Sequence, residues 1–125
     1  MTRQITYPIT ISDAMHRSIQ DIKDYFYLDS MEETVKLMIS KGINYPQPIS
    51  DEELAIIVAL QKGKLLVTVG FDDNQNAQLE TFKRNNAIED DTLIAAYLGL
   101  VRGEQVYRDS LDQISLRQNT RTLVN

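Results

Sequence analysis

Cysteine is absent from the 125-residue chain, and histidine occurs once, at His16. Without cysteine the chain can form no disulfide framework, no thiolate metal site and no thiol nucleophile. A lone histidine supplies neither a metal-ligand set nor the combination of nucleophile, base and orienting group that covalent catalysis requires. We therefore expect that the protein is not an enzyme and that it binds no metal and no other cofactor.

Long apolar segments are also lacking. No apolar run approaches the roughly 20 residues of a membrane-spanning helix. The first residues, Met1–Gln4, do not show the basic and then apolar layout of a secretory signal peptide. With 42% hydrophobic and 25% charged residues, the composition is that of an ordinary globular domain. These features predict a cytoplasmic protein without membrane contact.

Basic residues are outnumbered by acidic ones, which gives a net charge of −5. The deficit is spread along the chain, with six Lys/Arg against nine Asp/Glu in residues 1–62 and seven against nine in residues 63–125. Proteins that hold DNA mainly through its phosphates usually carry a basic surface. The charge excludes a strongly basic domain and leaves room for a local basic face.

In the N-terminal third, apolar residues recur first at every second position and then at helical spacing. Isoleucine and tyrosine side chains occupy every second position of residues 4–11, which is typical of a half-buried strand. Because Pro8 has no N–H, this strand is expected at a sheet edge or in a two-stranded ribbon. Ser12 and Asp13 begin a helix that runs to about Phe26 with one apolar stripe.

A second helix follows after a turn at residues 28–29. Ser30 is a favourable N-cap for it. The helix is expected to end at Gly42, which we interpret as a left-handed C-cap.

The remaining sequence predicts a similar series of elements. A helix follows Ser50 and ends near Gly63, and residues 65–71 alternate like a second strand. Two further helices follow, and residues 104–115 are expected to be helical as well. The last ten residues are polar and are expected to be frayed.

The second strand and its helices repeat the apolar pattern of the first unit at an offset of about 60 residues, with one residue deleted in the turn before the second helix. The apolar positions Ile9, Ile19 and Ile22 fall on Val69, Leu79 and Phe82. One strand with two helices cannot enclose a core alone, whereas two copies could pair their strands and bury a shared core. The sequence alone is compatible both with a genuine repeat and with a chance match between common apolar residues.

The strand, the helix beginning at Ser12-Asp13 and the capped helix Ser30-Met31-Glu32-Glu33 resemble a ribbon-helix-helix unit of the Arc/MetJ/CopG-like superfamily. The resemblance implies an intertwined dimer whose two-stranded ribbon enters the DNA major groove. A tandem repeat in one chain would make a single-chain pseudo-dimer, and the alternative is an ordinary homodimer. The resemblance assigns DNA contacts to seven positions: Gln4, Thr6, Thr10, Ser30, Met31, Lys64 and Thr68.

These observations predict a mainly α-helical protein with short β-strands. Four segments are expected: a ribbon-helix-helix-like unit at 1–45, a connector with a helix at 46–63, a second such unit at 64–103, and a C-terminal helix with a polar tail at 104–125. The expected function is a DNA-binding regulator, either a transcriptional repressor or a plasmid-maintenance protein, with double-stranded DNA as partner. Pro8 and the acidic helix starts favour the alternative, a protein–protein interaction module (adaptor or antitoxin) that does not bind DNA.

Overall fold

The computed structural model describes residues 5–44, 47–86, 88 and 92–124, with side chains described as far as residue 113. The chain is mainly helical, and within these ranges five helices pack with one two-stranded antiparallel sheet. None of the described helices is both long enough and apolar enough to cross a membrane. Gln4 and the acidic run at 89–91 lie outside the described residues.

The elements follow the order that the periodicity predicts. They are β1 (Ile5–Ile11), α1 (Asp13–Tyr25), α2 (Met31–Gly42), α3 (Asp51–Gln61), β2 (Leu65–Phe71), α4 (Asp73–Asn85) and α5 (Thr92–Val124). Both ends of β2 and α4 follow the matching ends of β1 and α1 at the same offset as the sequence repeat. Side chains of Ser12 and Asp72, which are equivalent positions in the repeat, cap α1 and α4.

The strands form a ribbon whose register is symmetric about one residue pair. Ile5 lies opposite Phe71 and Ile11 opposite Leu65, so that Pro8 pairs with Thr68, its own counterpart in the repeat. The prediction of a two-stranded ribbon is confirmed. Antiparallel pairs alternate between hydrogen-bonded and non-hydrogen-bonded. The N–H groups of Thr10 and Gly70 bond to side chains outside the ribbon, so their pairs are non-hydrogen-bonded. The Pro8–Thr68 pair lies two positions from each of them and is therefore also non-hydrogen-bonded. The missing N–H of Pro8 thus costs the ribbon no hydrogen bond.

Both halves contribute to one core beneath the inner face of the ribbon. Ile9 and Ile11 of β1 and Val69 and Phe71 of β2 are buried against the helices. The matching helix positions are buried in each half, as Ile19 with Leu79, Ile22 with Phe82, and Met38 with Tyr97. Neither half closes a core by itself, because each strand's apolar face is covered jointly.

Helices α2 and α5 cross at a contact made of backbone. A Cβ on Gly42 would collide with the carbonyl oxygen of Gly99 and lie 2.7 Å from the nitrogen of Gly103. A Cβ on Gly103 would collide with the carbonyl oxygen of Met38. The prediction that Gly42 is a left-handed C-cap is wrong, since none of the described glycines has a positive φ and Ile43 ends the helix in a right-handed conformation. Position 42 requires glycine because the backbone of α5 leaves no room for a side chain there.

The prediction that residues 104–115 are helical is confirmed, but they continue the preceding helix, and the tail that was expected to be frayed is helical as far as Val124. α5 runs without interruption from Thr92 to Val124. Gly103 does not end it, because this glycine lies in the crossing with α2. Beyond it, Glu104 pairs with Arg108 one turn later, and both side chains bond to Ser18 of α1. The boundary expected at 103/104 therefore falls inside a helix.

Candidate functional site

The outer surface of the ribbon is the candidate site that the sequence indicates. Side chains of Thr6, Pro8, Leu66 and Thr68 are exposed there, and we call these four residues the ribbon face. They share one side because the register places Thr6 opposite Gly70, Pro8 opposite Thr68 and Thr10 opposite Leu66. Lys64 is exposed immediately before β2. Three predicted site residues, Thr6, Lys64 and Thr68, are thus brought to one uncovered surface.

Thr10 belongs to the same strand side but is already engaged inside the protein. Its N–H donates to the Tyr97 hydroxyl at 2.9 Å, and its own hydroxyl donates to the Leu60 carbonyl oxygen at 2.9 Å. The two hydroxyl oxygens are 2.8 Å apart. These bonds tie the outer edge of β1 to α5 and to the end of α3. The hydroxyl proton of Thr10 is thus engaged, and a base could accept it only by displacing the Leu60 carbonyl oxygen.

The outer edge of β2 is bonded at the equivalent position. The Gly70 N–H donates to a carboxylate oxygen of Glu32 at 3.3 Å. Gly70 is the counterpart of Thr10 in the repeat, so each strand edge is held at the same place by a helix of the opposite half. This bond also brings the start of α2 to the edge of the ribbon.

The start of α2 exposes both backbone donors and carboxylates. Ser30 is exposed, and its hydroxyl oxygen accepts the Glu33 N–H at 3.1 Å. Met31 is half-buried and packs against the core. A helix start can hold a phosphate through its free N–H groups. Here Asp29, Glu32 and Glu33 are exposed beside those donors, so the local charge opposes an anion.

A buried ion pair between α3 and α5 was not found from the sequence. Arg102 is 7% exposed, and its Nε lies 2.7 Å from a carboxylate oxygen of Glu53. It also donates to the carbonyl oxygen of Gln47 at 2.7 Å and stands 5.6 Å from the centre of the Phe82 ring. The one feature of the sequence that could have indicated this pair is the position of Arg102, a cation directly after the apolar run 93–101.

The pKa of Glu53 reflects this surrounding. Partial burial acts to raise it, but the hydrogen bonds from Arg102 and Ser50 outweigh that effect and hold the pKa below its ordinary value. Burial and the charge of Glu80 raise the pKa of Tyr7, whose hydroxyl donates to Asn76 at 2.7 Å. Both groups fasten elements to each other, Glu53 at the start of α3 and Tyr7 between the ribbon and α4.

A groove of about 650 Å³ lies beside the Arg102 pair. Its lining mixes apolar side chains, such as Met15 and Ile56, with polar ones, such as Glu52 and Asp109. Within the described part of the chain, every buried side-chain nitrogen or oxygen has a hydrogen-bond partner. The described residues also contain no group of three or more side chains suited to a metal ion. No buried polar side chain in the described lining of the groove therefore lacks a partner.

Comparison of the chain with protein-family models, with curated proteins and with solved structures gave no significant match.

Proposed function

We propose that the protein is a DNA-binding regulator of the ribbon-helix-helix type, in which one chain supplies both strands of the ribbon. The observation that carries this proposal is the exposed antiparallel ribbon with a register symmetric about Pro8 and Thr68. A two-stranded ribbon fits the B-DNA major groove, where each base pair presents its own pattern of donors and acceptors. A transcriptional repressor and a plasmid-maintenance protein are both regulators of this kind.

In this proposal the reading residues are Thr6 and Thr68, with Lys64 at the end of the ribbon. A threonine can hydrogen-bond to a base edge or touch the thymine methyl group, and a lysine can reach guanine or phosphate. Thr10 contributes through the position of its backbone, because its hydroxyl is bonded to Leu60 and Tyr97. Pro8 and Leu66 offer apolar contacts alone.

Fluorescence anisotropy with a fluorescent random-sequence duplex tests the proposal most simply. At about 50 mM salt we expect micromolar or tighter binding that weakens steeply as salt is added, because phosphate contacts release counterions. Selection from a random duplex pool then gives the preferred site. An unchanged anisotropy at about 100 µM protein in low salt would falsify DNA binding, since this condition favours even non-specific contacts.

Substitutions in the ribbon distinguish contacts to the DNA phosphates from contacts to the bases. Lys64→Ala should weaken binding to all duplexes alike and lower the salt slope by about 1. Thr6→Ala and Thr68→Ala should each cost about 1–3 kcal/mol on the selected site and little on random duplex. Lys41→Ala and Thr81→Ala change exposed residues of the same types on α2 and α4, and we expect DNA binding to stay unchanged in both.

Protein association is the second candidate function, and the ribbon face itself favours it. Leu66 is 61% exposed on that surface, and the carboxylates at the start of α2 would repel phosphates. An adaptor or an antitoxin would use such a surface to bind a protein partner. A partner captured from cell extract should then be lost on Leu66→Asp and retained on Thr6→Ala.

Glu33→Gln separates the two functions. If the start of α2 lies near a phosphate, removing this exposed charge should tighten DNA binding about two- to tenfold at low salt, and added salt should reduce the gain. A protein interface that uses the carboxylate should instead be weakened. Circular dichroism of the variant checks that the Ser30 cap and α2 are intact.

A further inference from the structure

Helix α3 is apolar around its whole circumference but is buried on one side alone. Seven of its eleven residues are apolar, whereas Ile57 and Leu60 are its only buried residues. A helix that is hydrophobic all round is normally covered on every side. α3 also belongs to neither of the two strand–helix–helix halves, since it lies in the segment that joins them.

The exposed side of α3 carries a regular stripe. Its members recur at helical spacing and all are exposed; they are Asp51, Leu54, Ala55 and Val58 of α3 and Lys62, the C-cap residue that follows it in a right-handed helical conformation. We call them the α3 stripe. Leu54 and Val58 are 44% and 47% exposed in its middle. The stripe therefore has an acidic end, an apolar centre with one small residue, and a basic end.

This arrangement is complementary to itself. When a second copy of α3 is laid antiparallel on the first, Asp51 comes opposite Lys62 of the second copy while Ala55 comes opposite Val58. Both pairings have the same centre, between residues 56 and 57, so a single register satisfies the charges and the apolar contacts together. A two-fold axis then repeats each pair at the other end.

We propose that the α3 stripe is the interface of a two-fold symmetric homodimer in which two chains pack α3 against α3 antiparallel. One helix of 11 residues is about 16 Å long, and such a pair buries less than the ~800 Å² per partner of a standard interface. The dimer is consequently weak and depends on protein concentration. It carries two ribbons, but it does not depend on DNA binding, so either proposal can fail alone.

Sedimentation equilibrium of the full chain tests the dimer. The mass should rise with concentration from 14.3 kDa towards twice that value. Ala55→Glu puts two carboxylates near the two-fold axis and should weaken association by about tenfold or more. Ala77→Glu, at an exposed alanine of α4, is the matched control and should leave association unchanged. Both variants should keep the helical circular dichroism of the parent chain.

Charge exchange tests the register. Asp51→Lys sets two lysines against each other at both ends of the dimer, and Lys62→Glu does the same with two acids, so each variant alone should remain monomeric. Mixing the two variants should restore association, because every end then pairs one acid with one lysine. A chain that stays monomeric up to about 0.5 mM overturns the proposal, as this range covers weak interfaces. Association that ignores Ala55→Glu, or that mixing does not restore, overturns it as well.

Discussion

The two strand–helix–helix halves, residues 5–42 and 65–101, bury matching positions but differ in what surrounds them. Ile19 and Leu79 are both fully buried, and the ribbon pairs each half with the other in a symmetric register. In the first half, α2 ends at Gly42 and a connector follows. In the second half, α5 continues far beyond the crossing. It carries Arg102 directly after the position that corresponds to the end of α2.

The difference between the halves indicates which positions the shared core constrains. A side chain in the core meets atoms of both halves, so its size and polarity must suit neighbours on each side. At the edges of the strands the halves diverge, because the edge of β1 is bonded by Tyr97, whereas the edge of β2 is bonded by Glu32. The two halves therefore share the core residues that support the ribbon, and they differ in the residues around its edges, which determine what the ribbon can contact.

The helix crossing should be sensitive to a single added methyl group, because it joins the halves through backbone. Helix propensity alone predicts that Gly42→Ala stabilises α2 by about 1 kcal/mol. The added Cβ would instead collide with the Gly99 carbonyl oxygen, and we expect a loss of about 2 kcal/mol or more in the free energy of unfolding. Urea denaturation measures the sign. The neighbouring Lys41→Ala should change stability by less than about 0.5 kcal/mol, and a stabilised Gly42→Ala protein would mean that the helices do not touch there.

Equivalent core truncations should cost equal amounts if the halves share one core. Ile19→Ala and Leu79→Ala each remove a fully buried side chain, and each should destabilise by about 2–5 kcal/mol. Both variants should unfold in one cooperative transition with an unchanged denaturant slope. Two separate transitions, or an effect confined to one truncation, would show that the halves fold as independent units.

The Glu53–Arg102 pair has a smaller expected effect, because it joins α3 to α5 outside the two halves. Glu53→Gln should lower stability at neutral pH by about 1–3 kcal/mol, because it removes charged hydrogen bonds from a buried guanidinium. Since the folded state lowers the pKa of Glu53, its contribution is complete above the ordinary carboxyl pKa and disappears as pH falls through the lowered one. Unfolding curves from pH 7 to 3 should therefore converge for the two proteins. A gap that stays constant would assign the effect to packing.

The sequence predicts the elements of both halves well because the signals are local. The alternation in residues 4–11, the cap at Ser12 and the repeated apolar pattern can all be recognised without tertiary information. Gly42 was misinterpreted because a glycine at a helix end has the same local pattern whether it caps the helix or touches another one. The length of α5 was missed because its last turns lack an apolar stripe. The bonds from Tyr97 to Thr10 and from Glu32 to Gly70 join residues 87 and 38 positions apart, and no local pattern indicates them.

One chain forms the whole ribbon, and the absence of cysteine makes a direct test of this arrangement simple. Pro8→Cys with Thr68→Cys places two thiols at the non-hydrogen-bonded pair on the pseudo-two-fold axis, where Cα atoms are about 4.5 Å apart, within the range of a disulfide. Mild oxidation of dilute protein, followed by mass analysis without reductant, should give a cross-linked single chain of about 14.3 kDa, and each single-cysteine variant should stay free of intrachain links. Cross-links that form between chains alone, at twice the mass, would contradict the single-chain ribbon.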